Sequence, residues 1–344
     1  MALVALLDPQ LEVTVHRGVL RFQKGRHVVR EVPPHEVSEV QIHCNARVHP
    51  AARKLLLRAG IDLAFFTVDG RYLGRLLGPG SRAGDRRLAQ YAFATDPVRA
   101  LALARQVVAG KIENQRRLLL GRQRRVRSEA VADALAALRT LGPALADARD
   151  LDALRGVEGY AAQRYFGVFG ELIQNPLFTF TGRNRRPPRD PINACLSYGY
   201  ALLVSEVERG AWAAGLEPWI GCLHAAARGA PALVLDLAEE WRPLVDDLVL
   251  TLANRRQISP EDFRTPPAEE LGAEAEIAED AIYLGRVGRE VLVRAWSRTL
   301  DRRWPHPETG DRWRMTDLVR EQGHQVARLF EGRQDTYHPV RLGG

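Results

Sequence analysis

The chain has 344 residues, 46% of them hydrophobic, and its formal net charge is +7 at pH 7. This length and apolar content allow one large or two smaller domains and exclude a largely disordered protein. No segment approaches the roughly 20 apolar residues that cross a bilayer, and the N-terminus lacks the features of a signal peptide, so we expect a cytoplasmic protein with no membrane partner.

The first part of the chain has the pattern of a small β domain. Short apolar segments with alternating or compact patterning predict strands, at 13–22, 28–29, 40–42, 63–66 and 72–77. A helix is predicted to begin at Pro50 and to end at Gly60, because proline favours the first helical position and glycine the position after the last. The glycine-rich residues 78–86 indicate a linker. We therefore expect a β-rich domain over residues 1–77.

Residues 87–331 have the composition of a larger helical domain, because alanine, leucine and arginine favour helices. The longest predicted helix covers residues 96–127 and starts with Asp96 as its cap. Further helices are predicted, at 128–140, at 146–154, from Asp190-Pro191 and from Pro231. Two segments without regular structure are expected, a loop at 259–275 and a flexible tail at 332–344. The predicted fold class is α+β, a small N-terminal β domain followed by a larger all-α domain.

Charge is distributed unevenly along the helical region. Residues 99–127 carry nine basic side chains and one acid, a net charge of +8, whereas residues 232–280 carry thirteen acids and four arginines. A helix over the basic segment would be roughly 43 Å long and could follow the phosphates of a duplex. A solvated arginine-rich surface is the alternative. Four arginines between residues 183 and 189 predict either a phosphate clamp or an exposed linker.

Acidic residues suggest a cation site near residue 236. Asp236 and Glu239 are spaced to share one face of a helix, where two carboxylates repel each other unless a positive charge lies between them. A metal ion would supply that charge. For Glu240, Asp246 and Asp247 we favour a solvated acidic face. Asp236 also suits the first turn of a helix, where the helix dipole stabilises an acid.

A histidine and a third acid extend this set. His224 lies just upstream of the acidic helix, and Glu158 lies beside Gly159 at the expected start of another helix. Imidazole and carboxylates together suit a divalent ion that handles phosphate oxygens. Taken singly, His224 could be an ordinary surface or core residue and Glu158 a first-turn acid. Cys222 is a weaker candidate ligand, because cysteine is usually a small core residue, and without a Cys-x-x-Cys pair the chain has no zinc-ribbon or iron–sulfur pattern.

Four blocks of sequence together resemble CRISPR-associated protein 1, the integrase of CRISPR adaptation. The blocks are Lys111 to Gln115, Gly156 to Phe166, Arg186 to Tyr200, and Gly221 to His224 followed by residues 233–243. Their order and spacing carry the resemblance, which is weak in sequence over the N-terminal third. The resemblance implies that the helical domain is catalytic and that the β domain mediates dimerisation.

The resemblance also implies a metal centre. The glutamate, histidine and acid that bind metal in the family correspond here to Glu158, His224 and Glu239. The last position is often aspartate in the family, so Asp236 is a neighbouring candidate ligand. The implied cofactor is Mg²⁺ or Mn²⁺, which would stabilise charge on phosphate oxygens. We therefore expect an active enzyme with these three residues in the catalytic site.

The implied reaction is phosphodiester transesterification on DNA. The free 3′-hydroxyl of a short duplex, a new spacer, attacks a phosphodiester of the CRISPR repeat, and the same centre can run in reverse or use water as nucleophile. The implied partners are duplex DNA, a second copy of the chain, and the small second adaptation protein, CRISPR-associated protein 2. The candidate phosphate contacts are Lys111, Arg116, Arg117, Arg124, Arg164, Arg183, Arg186 and Arg242.

Three alternatives remain at this stage. A related transposon-borne integrase would act without the small partner protein. A DNA-binding scaffold would use the same basic helix without chemistry and would not depend on metal. An RNA-binding helical protein would prefer single-stranded RNA to duplex DNA.

Overall fold

The computed structural model describes residues 2–67, 69–78, 83–184, 187–224, 230–265 and 281–343. Within them the predicted fold class is confirmed, since a small β-rich unit precedes a larger helical unit. Among the described residues, no helix combines the length and apolar character needed to cross a membrane.

The N-terminal unit contains two four-stranded sheets. Its strands are β1 (Ala2–Leu6), β2 (Glu12–His16), β3 (Val19–Lys24), β4 (His27–Val32), β5 (Val37–Ile42), β6 (Arg47–Val48), β7 (Asp62–Phe66) and β8 (Tyr72–Leu76). One sheet has the order β1-β5-β7-β8, with β5 parallel to both β1 and β7 and with β8 antiparallel to β7. The other has the order β4-β3-β2-β6, in which β2, β3 and β4 form successive hairpins and β6 is parallel to β2. Every strand predicted in this region is present.

One helix completes the N-terminal unit. It is α1 (Pro50–Ala59), and it ends as predicted at Gly60, whose φ of 66° is a left-handed conformation that glycine adopts without steric cost. Side chains alternate along β7, so that Leu63 enters the core between the two sheets and α1, whereas Ala64 and Phe66 enter the core of the helical unit. The sheet that contains β7 therefore separates the two cores.

The helical unit is built around two long helices, α3 and α7. Its described helices are α2 (Gly84–Thr95), α3 (Pro97–Val126), α4 (Glu129–Arg139), α5 (Gly142–Asp147), α6 (Leu151–Gly167), α7 (Pro191–Ala213), α8 (Ala232–Ala238), α9 (Arg242–Asn254), α10 (Arg286–Asp301) and α11 (Met315–Phe330). The helix α3 starts as predicted, because the carboxylate of Asp96 accepts hydrogen bonds from the amides of Val98 and Arg99, at 2.9 and 3.1 Å. Asp190 caps α7 in the same way, through the amide of Asn193.

Some predicted helix boundaries are wrong. The helix α2 begins at Gly84, inside the predicted linker. The helix predicted at 146–154 is interrupted, because the carboxylate of Asp150 caps a new helix through the amide of Ala153. That helix, α6, continues through Gly159, so Glu158 lies in its interior and not at its start. Glycine weakens a helix by only about 1 kcal/mol, and burial of the apolar face of α6 against the core outweighs that cost.

The helical unit also contains extended segments that the sequence did not predict. Two antiparallel ribbons are present among its described residues, β9 (Phe263–Arg264) with β10 (Tyr283–Leu284) and β11 (Arg303–Pro305) with β12 (Arg312–Arg314). Part of the loop predicted at 259–275 therefore pairs as β9, and its residues from 266 onward lie outside the described part of the chain. The residues after Gly332 are irregular as expected but are not a loose tail, since Tyr337 and Leu342 are buried against the helical core.

A buried polar cluster joins the two units. Arg75 of β8 is 1% exposed and lies 3.7 Å from a carboxylate oxygen of Glu39. Its guanidinium donates to Asp62 at 2.9 Å and across the boundary to the hydroxyl of Ser205 on α7 at 3.0 Å. Because an isolated buried charge is costly, these contacts require the sheet and α7 to keep one relative orientation.

Replacement of Arg75 is expected to destabilise the whole chain. In Arg75→Met the buried carboxylates lose their counter-ion, and loss of one member of such a cluster costs about 3–5 kcal/mol. Urea unfolding at pH 7 measures this cost. The partly exposed Arg21, which pairs with Glu31 on neighbouring strands, provides a control in Arg21→Met. Equal losses of stability in the two variants would contradict the importance of the buried cluster.

Candidate metal and nucleic-acid site

Four elements of the helical unit bring the predicted catalytic side chains together. Glu158 extends from α6, His224 ends the described part of the loop after α7, and Glu239 begins a short 3₁₀ turn between α8 and α9. Lys111 of α3 forms ion pairs with Glu158 and with Oε2 of Glu239, the latter at 2.6 Å. Nε2 of His224 lies 3.9 Å from Oε1 of Glu239. The four residues therefore form one cluster.

Lys111 lies between the two glutamates and is largely buried. The sequence predicted it as a phosphate contact, but its side chain is 8% exposed and its ammonium group bridges Glu158 and Glu239. Two carboxylates this close need a positive charge between them, and here the lysine supplies it. Within the described ranges, no three histidine, cysteine, aspartate or glutamate side chains lie at the spacing of a metal site.

Glu239 is the most deeply buried acid of the cluster, with a side chain 4% exposed. Burial alone would raise its pKa, but the positive charges of Arg242 and Lys111 outweigh burial and lower the pKa to about 2. Nε of Arg242 donates to Oε1 at 2.8 Å. Oε2, although close to Lys111, accepts no hydrogen bond of good geometry from the described residues. At neutral pH Glu239 is therefore a carboxylate whose two oxygens each lie beside a cation, Oε1 beside Arg242 and Oε2 beside Lys111.

Asp236 positions His224 and is not placed as a ligand. Its two oxygens accept hydrogen bonds from the amides of Cys222, Leu223 and His224, at 2.6, 3.0 and 2.9 Å. Nδ1 of His224 lies 2.8 Å from Oδ1 and donates to it, because a carboxylate can only accept, and Nε2 is the ring nitrogen on the side of Glu239. Asp236 lies in the second half of α8, so it is not a first-turn acid.

The loop that carries His224 is held tightly against α8. A Cβ atom at Gly221 would lie 2.6 Å from the carbonyl carbon of Ala232, so only glycine fits there. A guanidinium nitrogen of Arg155 on α6 donates to the carbonyl of Leu223 at 2.7 Å. Cys222 contributes its amide and not its thiol, and burial raises the pKa of that thiol. The histidine is therefore presented by a rigid backbone.

Two acids that we interpreted as a solvated face are buried. Glu240 is 1% exposed and accepts hydrogen bonds from the amide of Gln322 and the hydroxyl of Tyr337, both at 2.9 Å. Asp246 is also 1% exposed, and burial raises the pKa of Glu240 to about 8 and that of Asp246 to about 6. That interpretation was wrong for these two, because their partners come from distant helices. Asp247 is partly exposed and pairs with Arg122 of α3 at 2.6 Å.

The site has a supporting layer that the sequence did not indicate. The guanidinium of Arg242 lies 4.8 Å from the ring centre of Tyr200 on α7. The hydroxyls of Tyr200 and Tyr165 donate to Asp246, at 2.5 and 2.9 Å. Arg242 is thus held between Glu239 and an aromatic ring that is itself fixed by a buried acid. The sequence placed Asp246 beside a second acid, Asp247, between apolar residues of α9, and did not show which of the two is buried.

The other predicted phosphate contacts fall into two groups. Arg124 near the end of α3 is exposed, and Arg116, Arg117 and Arg164 are partly exposed. Arg183, by contrast, folds onto α7, where Nη1 donates to Asn193 at 2.6 Å. Arg186 lies outside the described residues. On α3, Glu113 pairs with both Arg116 and Arg117 and so reduces the positive charge of that face of the helix.

The chain is similar to a family of known proteins over most of its length. The family model described as CRISPR associated protein Cas1 matches residues 4–298. A relative from Thermus thermophilus, named CRISPR-associated endonuclease Cas1 3, is 33% identical over 348 aligned residues, which cover 99% of this chain and 98% of the relative.

Solved structures have the same fold. A chain from the structure called casposase bound to integration product has a TM-score of 0.82 and 21% identity, and the match covers 98% of this chain and 93% of that one. A chain of a Cas6-RT-Cas1–Cas2 complex has a TM-score of 0.81 and 24% identity, and the match covers 98% of this chain and 36% of that longer one.

The depressed pKa of Glu239 predicts a contribution to acid stability. A carboxyl whose pKa is lowered on folding stabilises the folded state above its unfolded pKa, here about 4.5, and this contribution is lost as the pH falls toward about 2. The difference in unfolding free energy between wild type and Glu239→Gln should therefore be constant above pH 5 and shrink below it. Urea unfolding at a series of pH values measures the difference, with the exposed Glu171→Gln as a control for loss of one charge. A difference that does not change between pH 5 and pH 3 would contradict the assignment.

Proposed function

The chain belongs to the Cas1 family of CRISPR-associated proteins, and we propose that it is a divalent-metal-dependent DNA endonuclease and integrase of CRISPR adaptation. The observation that carries the proposal is the convergence of Glu158, His224 and Glu239 on one partly buried cluster, in a chain 33% identical to a Cas1 endonuclease over nearly its whole length. In the proposed reaction, the 3′-hydroxyl of a short duplex attacks a phosphodiester of the CRISPR repeat. A new P–O bond forms while the old bond breaks, and the cut strand leaves with a free 3′-hydroxyl.

The residues of the cluster fit Mg²⁺ or Mn²⁺. Carboxylate oxygens of Glu158 and Glu239 and Nε2 of His224 form a hard, mixed donor set, and Oε2 of Glu239 is a buried oxygen without a hydrogen bond from the described residues. The Lys111 ammonium already meets the demand for positive charge between the carboxylates. When bound, the ion supplies Lewis-acid stabilisation of phosphate oxygens. Lys111 is then available to donate to a phosphate oxygen, in agreement with its expected DNA contact.

The surrounding side chains orient the ligands. Asp236 holds Nδ1–H of His224, so the imidazole faces the cluster with Nε2. Arg242 donates to Oε1 of Glu239 and is held by the ring of Tyr200. Because Asp236 and Arg242 are already held in place, these side chains need little reorganisation when charge develops on a phosphate.

The DNA is proposed to follow α3 away from the cluster. Lys111 is at the cluster, and Arg124 lies 13 residues further along the same helix, which is roughly 20 Å. Arg116, Arg117 and Arg164 are the other proposed phosphate contacts. Arg183 and Arg242 support the site from within, and Arg186 is retained as a proposed contact from the sequence. This division predicts that the exposed arginines govern the salt dependence of binding.

The proposed partners follow from the family. We expect the chain to form a homodimer through its β unit and to assemble with CRISPR-associated protein 2, working on duplex DNA in the cytoplasm. The fold it shares with a chain of a Cas6-RT-Cas1–Cas2 complex supports this assembly. A transposon-borne integrase remains an alternative, and it would act without the small partner.

One observation favours a DNA-binding scaffold without chemistry. Lys111 bridges Glu158 and Glu239, so a cation of the protein itself already compensates both carboxylates. A scaffold of this kind would use the same basic helix and would bind DNA equally well with and without metal.

Strand transfer separates the two functions. Labelled duplex with free 3′ ends is mixed with a supercoiled plasmid carrying a CRISPR repeat, with Mg²⁺, Mn²⁺ or EDTA, and with or without the small partner. Label should enter the plasmid only with metal, and Glu158→Ala, His224→Ala and Glu239→Ala should abolish transfer because each removes a ligand. Glu171→Ala, at an exposed position, should transfer normally. DNA binding without transfer under every condition would favour the scaffold.

Asp236→Asn tests the positioning of His224. The amide can no longer accept at every site that the carboxylate uses, so the imidazole loses its fixed orientation. Loss of such a partner lowers metal affinity or activity by about 10–100-fold. Transfer rates should fall by that factor while filter-binding affinity for duplex DNA is unchanged. Wild-type transfer by this variant would show that the histidine is oriented by other contacts.

A further inference from the structure

The chain segment after α11 is folded against the back of the catalytic cluster. We call residues 333–343 the C-terminal strap. It has no regular secondary structure, yet Tyr337, Val340 and Leu342 are only 2%, 3% and 6% exposed. A segment so buried contributes to the structure of the elements it contacts, which here are α3, α11 and the turn that begins at Glu239.

Asn114 of α3 connects this strap to the catalytic turn. Its side-chain amide donates to the carbonyl of Glu240 at 2.8 Å and to the carbonyl of Val340 at 2.9 Å. Its side-chain oxygen accepts from the amide of Leu342 at 2.8 Å. Two of the three hydrogen bonds of the Asn114 side chain are therefore made with the strap. They orient the side chain so that its third bond is made with the carbonyl of Glu240 in the turn.

A second connection runs through the side chain of Glu240. Its two oxygens accept from the hydroxyl of Tyr337 on the strap and from the amide of Gln322 on α11. The same amide of Gln322 donates to the hydroxyl of Tyr337 at 2.9 Å. Glu240 follows Glu239 directly, so these bonds determine where the turn holds its catalytic carboxylate.

A close backbone approach completes the connection. A Cβ atom at Gly110, next to Lys111, would lie 2.5 Å from Cβ of Pro339, so the strap sits against α3 only because residue 110 is glycine. At the other end of the strap, Arg117 donates to the carbonyl of Gly343 at 2.8 Å.

We propose that the C-terminal strap is a positioning element of the metal centre, which fixes the register between Lys111 on α3 and Glu239 on the turn. Asn114 lies one helical turn from Lys111, and Glu240 is adjacent to Glu239, so one strap-oriented hydrogen bond ties the two partners of the cluster together. This also assigns a role to the asparagine of the block from Lys111 to Gln115. The inference rests on the proposed function, because it treats Glu239 as a metal ligand.

The test measures Mn²⁺ binding to the full-length protein by electron paramagnetic resonance, below the melting temperature of every variant. Gly110→Ala should push the strap away from α3. Gly121→Ala, on the same helix, is its matched control, because a Cβ atom at residue 121 would meet no atom of another element within 4 Å. Tyr337→Phe removes the strap hydroxyl. Its control, Tyr198→Phe, removes an equally buried hydroxyl that bonds to His43 at the boundary of the two units.

The strap variants should bind Mn²⁺ about tenfold more weakly than wild type, and both controls should bind it normally. A purely structural strap would lower the melting temperature in Tyr337→Phe and leave the Mn²⁺ affinity unchanged, and that result would overturn the inference alone. Wild type that binds Mn²⁺ and loses it in Glu239→Ala establishes the site on which the inference depends. Wild type that binds no Mn²⁺ would overturn the inference and the proposed metal centre together.

Discussion

The burial of the Glu239 carboxylate is the constraint on which the candidate site depends. A carboxylate removed from water is costly unless charges and hydrogen bonds compensate it. Here the compensation comes from Lys111 on α3, which pairs with Oε2, and from Arg242 at the start of α9, which pairs with Oε1. The electrostatic requirement of one acid therefore fixes the relative positions of the elements around it.

Polar contacts then extend outward from this acid. Arg242 is held by Tyr200, Tyr200 by Asp246, and the neighbouring Glu240 by Gln322 and the strap residue Tyr337. A buried polar network of this kind favours a single arrangement, because each displaced member leaves a partner without a hydrogen bond. Such a network would suit the proposed DNA-binding centre, which must keep its geometry beside a highly charged ligand. The cluster at Arg75 has the same character at the boundary between the β unit and the helices.

Local signals predicted the elements well where a cap or a turn is encoded by adjacent residues. Asp96 and Asp190 start α3 and α7, and Gly60 ends α1, because each makes its contacts within a few residues of itself. Where a helix boundary or the burial of a side chain depends on contacts with residues distant in sequence, the prediction was wrong. Glu158 was expected at the start of a helix but lies inside α6, and Glu240 was expected on a solvated face but is buried.

For the candidate site, residue types and the resemblance of four blocks were enough to nominate Glu158, His224 and Glu239. These side chains lie on segments up to about 80 residues apart, and their approach depends on the packing of α3, α6 and α8. The sequence therefore determined the chemistry that the chain carries and the local starts of its helices. The fold decided that Lys111 bridges the acids, that Asp236 orients the histidine and that the C-terminal residues are buried, because charge compensation and hydrogen bonding between distant residues arise only when the helices pack.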